Sequence, residues 1–295
     1  MLVVPRDEVV VLSSNVPEIE DGIEVYDSNV AYDLGAIVQH NGCIYESMKD
    51  NNEDTPEYFK STLSWIYKQR TNKYRMFDDL MSGSTFHENE LIYELAVNDV
   101  DTVCFFGLQA ESVKIEVYKD DELVYTSQKL TYERMVSNWW EWTVQKPSKK
   151  RVISFRNIPS FYGATLKVFV VLANGVAGCS NLIFGKGLDF GITLCEPAPT
   201  SSIRNVSSKE KQADGTVKTT ISKVYKRVTL SVALDTNRVA EIQNFLEEHS
   251  LEPMLFVGVE NDKYESLVVF GFYKDFDQPI GLEQSIYQIE IEGVV

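Results

Sequence analysis

Proton-transfer chemistry in this chain would have to use three imidazoles, His40, His87 and His249, or a pair drawn from 44 acids. Imidazole ionises near neutral pH, which suits it to acid–base work and to metal ligation. The three histidines lie far apart in the chain. No His-x-x-x-His, Glu-x-x-His or Gly-x-Ser-x-Gly spacing supports a zinc or serine site. His249 follows a segment of helical period, where a cation is favourable at the helix C-terminus. Asp78-Asp79 and Asp120-Asp121 are paired carboxylates. Glycoside hydrolysis needs two carboxyl groups flanking one bond, but adjacent residues on a strand point to opposite faces. Gly185-Lys186-Gly187 lacks the spacing of a phosphate loop and reads as a joint between domains. These residues predict no catalytic activity and no cofactor or metal.

Sugar binding is the other chemistry within reach, because the apolar face of a pyranose stacks on an exposed aromatic ring while neighbouring polar groups bond its hydroxyls. Tyr32, Tyr45, Tyr58 and Trp65 are the candidates near the N-terminus, and Trp139 is the candidate in the stretch SNWWEWTVQ. Trp65 reads first as the closure of a small core and only second as a ligand face. If Trp139 to Val144 is a strand, Trp140 and Trp142 share a face, in a sandwich core or at a domain interface, and Trp139 points the other way.

The elements that must position these rings are mostly strands, so the fold class expected is mainly β. Asn41-Gly42 between alternating residues predicts a hairpin with a type I′ turn, inside a small unit over roughly 26–67. Residues 1–25, with Pro5, Pro17 and interspersed acids, read as an extended lead-in that packs on a neighbour. From 71 to 188 the chain shows short β segments separated by turns: Val103 to Phe106, Val113 to Val117, an Asp120-Asp121 turn, Leu123 to Tyr125, Trp139 to Val144, Val152 to Phe155, and Leu166 to Leu172 turning at Asn174-Gly175 into Val176 to Ile183. That rhythm predicts an antiparallel sandwich or jelly roll.

Residues 189–222 combine a Pro-rich joint with a polar stretch turning at Asp214-Gly215. Val206, Ser208, Val217 and Thr219 alternate around that turn, which predicts a long exposed hairpin arm, either mobile or docked on another subunit. Val228 to Leu234 alternates as a half-buried strand. Thr236 is placed to cap a helix carrying Val239, Ile242, Phe245 and Leu246 on one face and ending before Pro253. Strands are expected over Leu255 to Val259, Leu267 to Phe272 and Ser285 to Ile291, giving an α+β module.

At 295 residues and 44% hydrophobic, the chain is long enough for two or three folded domains. No run reaches the length needed to cross a bilayer, and Arg6, Asp7 and Glu8 interrupt the one apolar stretch at the N-terminus, so neither a signal peptide nor membrane insertion is expected. Cys43, Cys104, Cys179 and Cys195 are scattered and read as reduced, mostly buried thiols of a protein assembled in cytoplasm. The net charge of −16 opposes binding to nucleic acid. It is concentrated at the two ends: 5 basic and 13 acidic residues lie in 1–70, 13 and 14 in 71–188, and 10 and 17 in 189–295.

The set Tyr32, Gly35, Val38, Gly42, Tyr45, Pro56 and Trp65 resembles the small chitin-binding carbohydrate modules, over about forty residues. Glu46-Ser47-Met48-Lys49-Asp50 stands where such modules carry further aromatic residues. A module of this kind followed by Thr71-Asn72-Lys73-Tyr74-Arg75-Met76-Phe77-Asp78 looks like a family of tailed-bacteriophage and prophage virion proteins. The resemblance implies a non-enzymatic tail component at the tip, collar or a fibre-like appendage, oligomeric, located in the virion and in contact with other tail proteins. Its alternatives are a receptor-binding protein for host surface glycan and a virion-bound glycan hydrolase. The expected division is 1–70, lead-in and hairpin module; 71–188, sandwich; and 189–295, α+β module with the arm, docking on the tail.

Overall fold

Asn41 (φ 48°) and Gly42 (φ 72°) take the paired positive φ values of a type I′ turn, joining Ile37–His40 to Cys43–Ser47. Trp65–Arg70 adds to the second of these strands in antiparallel register, and Glu24–Val25 adds to the first in parallel. The resulting four-stranded sheet encloses a core of Tyr32, Val38, Cys43, Tyr45 and Trp65. The structure, a computed structural model, describes residues 1–79, 83–133, 138–144, 147–205, 208–211, 217–220, 224–277, 279, 281 and 283–294.

The chain is mainly β. In the central region a five-stranded sheet runs in the order Glu122–Leu130, Ser112–Lys119, Ala164–Cys179, Thr85–Val97, Val10–Ser14. A three-stranded sheet runs Val152–Phe155, Thr102–Phe106, Asn181–Gly185. Tyr93, Leu95, Ile115 and Val168 from the first sheet share one core with Phe105, Phe155, Leu182 and Phe184 from the second, which makes an antiparallel sandwich. Asp120 and Asp121 (φ 50° and 66°) form the expected tight turn.

Two expectations in this region are corrected. Asn174-Gly175 does not reverse the chain: Ala164–Cys179 stays paired with Thr85–Val97, and only 172–175 bulge out between the pairs Val171↔Glu90 and Val176↔Glu88. Asn174 does take a positive φ, 59°, but the long partner strand holds both flanks in line. The corner lies instead at Ser180, where the chain passes from one sheet to the other. Trp139–Val144 is a short helix, α1, not a strand, and none of its residues is buried.

The C-terminal sheet runs Leu188–Asp189, Leu2–Val4, Met254–Val257, Val268–Asp277, Gln284–Gly293, Val224–Asp235, Ile192–Thr193. Alternation along its strands decides what each face meets. Val3, Met254, Phe256 and Val269 face helix α2, Val239–Glu248, which contributes Val239, Ile242 and Leu246. Val4, Leu255, Val257, Val268 and Phe270 face Cys104, Phe106 and Ile183 on the outer side of the three-stranded sheet. That sheet is therefore covered on both sides, which is why Thr102–Phe106 and Asn181–Gly185 are buried at every position and carry the apolar runs 103–106 and 182–184. The layers are five-stranded sheet, three-stranded sheet, C-terminal sheet and helix.

The lead-in is divided between layers. Leu2–Val4 enters the C-terminal sheet between Leu188–Asp189 and Met254–Val257, and Val10–Ser14 edges the five-stranded sheet. The cap before α2 also differs from expectation: the Asp235 side chain accepts from Asn237 N and starts a 3₁₀ turn over Thr236–Arg238, while Thr236 Oγ1 bonds Gly281 O and Ser285 Oγ. In the arm, Thr200–Asn205 pairs with the start of Val224–Asp235, and Ser208–Lys211 pairs with Val217–Thr220. Val206 and the Asp214-Gly215 turn lie outside the described residues.

Candidate functional site

Of the five rings expected to meet sugar, the fold closes three. Trp65 is fully buried, and its Nε1 donates to Asp54 O at 2.7 Å. Tyr32 meets Trp65 edge to face at a centroid distance of 5.6 Å, and its hydroxyl accepts from Asp27 N at 2.8 Å. Tyr26 stacks on Tyr32 at 5.7 Å and closes the cluster from the rim. Tyr45 is also buried, donating to Glu57 O at 2.8 Å and accepting from Phe59 N at 3.0 Å. Burial raises the Tyr45 phenol above its ordinary value and keeps it neutral. Buried rings cannot stack on a pyranose, so Tyr32, Tyr45 and Trp65 form the module's core. Tyr58 (62% exposed) and Trp139 (81% exposed) keep free faces, but they stand on different modules.

The residues that follow Trp65 are brought together, in an arrangement the spacing alone did not reveal. Thr71 N donates to Gly42 O at 2.9 Å, tying the run back to the hairpin turn. Asn72 clamps one backbone unit of the sandwich, its Nδ2 donating to Phe86 O at 2.8 Å and its Oδ1 accepting from Phe86 N at 3.0 Å. Thr85 Oγ1 donates to Asn72 O at 2.7 Å and accepts from Met76 N at 3.0 Å. Tyr93 OH donates to Lys73 O at 2.7 Å. Met76 and Phe77 are buried in the sandwich core, with Phe77 edge-on to Tyr93 at 5.6 Å. Asp78 O accepts from buried Asn181 Nδ2 at 2.7 Å. Lys73 pairs with Glu18, and Arg75 pairs with Glu20 at 2.6 Å, so the lead-in is drawn into the same joint. Almost every residue of the Thr71–Asp78 run thus either enters a core or satisfies a backbone group of another element. The sequence signal that could have pointed to it is Met76-Phe77, an apolar pair inside an otherwise polar run.

The groups weighed for catalysis are dispersed. His40 lies against Tyr26, with 5.0 Å between centroids, and burial lowers its pKa. His87 Nδ1 sits 2.9 Å from Glu90 O in the five-stranded sheet, and His249 caps α2 with its ring 4.7 Å from that of Phe245. Asp78 and Asp79 diverge: Asp79 takes Arg6 at 2.7 Å, while Asp78 is held within the clasp. Asp120 and Asp121 sit exposed on a hairpin tip. Gly185-Lys186-Gly187 connects the three-stranded sheet to the C-terminal sheet, with Gly187 N donating to Asp101 Oδ1 at 2.9 Å. Cys43, Cys104 and Cys179 are buried and Cys195 is exposed, all as free thiols. Burial pushes the Cys179 thiol up to about 12, which keeps it protonated and unreactive.

One concave feature was illegible in the sequence. A small cleft opens between the sandwich and the C-terminal sheet, lined by Lys129, Lys150, Ser154, Arg156, Asn261 and Glu265. Glu265 Oε1 accepts from Val152 N at 2.7 Å across it, so the acid is committed to holding the two layers together. No family model matches the chain, and no curated protein matches it.

Proposed function

We propose that this chain is a non-enzymatic structural component of a bacteriophage tail, docking on the tail and building or anchoring the structures that contact the host. The observation that carries the reading is the clasp: the Thr71–Asp78 run that resembles virion proteins is also the run that locks the hairpin module onto the sandwich. A part that transmits position between neighbours needs rigid joints between its modules, and this joint combines core side chains with paired backbone groups. Its acidic ends favour solubility during assembly. The C-terminal module with its 204–222 arm is the docking end, where Thr200–Asn205 carries an almost fully exposed face including Ile203. The hairpin module and sandwich project from it. The protein is oligomeric in the particle, with cyclic symmetry.

A reconstruction of the particle tests this reading directly. The expected result is density for the four-layered chain on the tail, with the arm against another subunit; absence of the chain from purified virions overturns it. The second reading, a receptor-binding protein for host glycan, draws on the free faces of Tyr58 and Trp139.

A further inference from the structure

The inner, three-stranded sheet has both of its edges covered. On one side Val152 N donates to Glu265 Oε1 at 2.7 Å and Ser154 O accepts from Lys129 Nζ at 2.9 Å; on the other Phe184 O accepts from Asp7 N at 3.0 Å. A bare edge invites pairing with another chain, and covers of this kind prevent it. Thr200–Asn205 has no such cover. It pairs with Val224–Asp235 in unbroken register on one side, and among the described residues no strand pairs with its other side. It contains neither proline nor acid, Ile203 is 78% exposed, and Arg204 is exposed.

The charge around this strand is opposite to that of the chain. Residues 200–229 hold seven basic and two acidic residues, while the remaining 265 hold 21 basic and 42 acidic. Two such arms placed edge to edge would repel, so the complement must be an acidic edge. Residues 18–27 supply one, with five acids and no basic residue. Within them Glu24–Val25 is the end strand of the hairpin module's sheet, paired only with Ile37–His40. Asp21 and Glu24 are exposed, as are Ile19 (56%) and Val25 (49%). Glu18 and Glu20 pair with Lys73 and Arg75, which anchors the segment to the clasp. The end strands of the five-stranded sheet, Val10–Ser14 and Glu122–Leu130, each carry a register shift, a device that turns an edge away from pairing.

We infer that Thr200–Asn205 of one copy docks antiparallel along Glu24–Val25 of a second copy of this chain. Neighbouring residues on a strand alternate between faces, so one register satisfies both chemistries: Arg204 lies opposite Glu24 on one face, and Ile203 opposite Val25 on the other. The contact joins two different surfaces, so repetition of it closes a ring or extends a filament. It rests on the docking role proposed for the arm and names the surface that the arm takes.

The test follows the purified full chain by sedimentation velocity over a concentration series, at low and high salt. Self-association is expected, weakening as salt is raised. Arg204→Glu or Glu24→Arg alone should weaken it by about tenfold, and the two together in one chain should bring it back to within about threefold of the native value. Both side chains are exposed, so the melting temperature of every variant should be unchanged. Ile203→Lys, which puts a second charge on the edge, should weaken association at both salt concentrations. A chain that stays monomeric up to about 1 mM overturns the inference. So does loss by the single variants without restoration by the pair, or association strengthened by Arg204→Glu, as a contact between two arms would give. Absence of the chain from purified virions strikes the tail reading and leaves this contact standing, whereas a monomer that is still incorporated strikes the contact alone.

Discussion

The ring of Tyr74 occupies the space that a β-carbon on Gly42 would need: that carbon would stand 2.7 Å from Tyr74 Cδ2. Gly42 thus answers to two demands, the positive φ of the hairpin turn and the close approach of the clasp. Gly42→Ala is expected to cost about 3 kcal/mol, from the left-handed backbone and the overpacking together. Urea unfolding measures it, and Tyr74→Ala in the same background should recover the steric part only.

Trp65 closes the hairpin core, so Trp65→Ala is expected to destabilise by about 3–5 kcal/mol and to leave any affinity for chitin oligosaccharides unchanged. Thermal unfolding and a titration with oligosaccharide separate the two effects. Lost sugar affinity with an unshifted melting temperature would make the ring a ligand face after all.

Removing residues 205–220 takes away the outer arm and leaves the C-terminal core, whose members are Val228 and beyond on this strand. The truncated chain is expected to fold with an unchanged melting temperature and to be missing from assembled particles. Normal incorporation would exclude the arm as a dock.

Lys226 lies half-buried on the strand Val224–Asp235 of the C-terminal sheet, its Nζ donating to Glu265 O at 3.3 Å and Val268 O at 3.0 Å. Burial pushes its pKa down from the ordinary 10.5 to about 8, against the pull of Glu265. Below about pH 8 the folded and unfolded chains are both protonated and the cost of the buried charge is fully felt. Between about 8 and 10.5 the folded chain sheds the proton while the unfolded chain keeps it, so this residue's contribution to stability rises with pH. The stability of the native chain relative to Lys226→Met should therefore increase over that window. Paired urea unfolding curves at successive pH values check it, and a flat difference would refute the assignment.

The parts of the fold that were legible in the sequence are those fixed by local chemistry. Asn41-Gly42 and Asp120-Asp121 take positive φ easily and stand between alternating residues, so both hairpins could be placed. The alternation from Val228 to Leu234 and the helical period from Val239 to Leu246 likewise require only near neighbours. Asn174-Gly175 misled because the dipeptide that makes a turn also makes a bulge; only the long partner Thr85–Val97 decides between them. Trp139–Val144 misled because six aromatic-rich residues suit a strand or one helical turn. The deciding signal was Asn138 three residues before Glu141: Asn138 Oδ1 accepts from Glu141 N, and Asn138 Nδ2 donates to Glu141 Oε1. The division of the lead-in between two sheets, and the cleft between layers, depend on contacts distant in sequence, which periodicity cannot carry.

Leu2–Val4 pairs through Val3 with Phe256, near the opposite end of the chain. A ribosome adding about 10 residues each second would therefore leave this strand without that partner for roughly 25 s after it is made. During that interval the apolar triplet is protected by the charges beside it, Arg6, Asp7 and Glu8, which discourage pairing with other nascent chains. The C-terminal sheet thus closes only when Leu2–Val4 meets a strand made about 250 residues later, after the intervening sandwich has been synthesised.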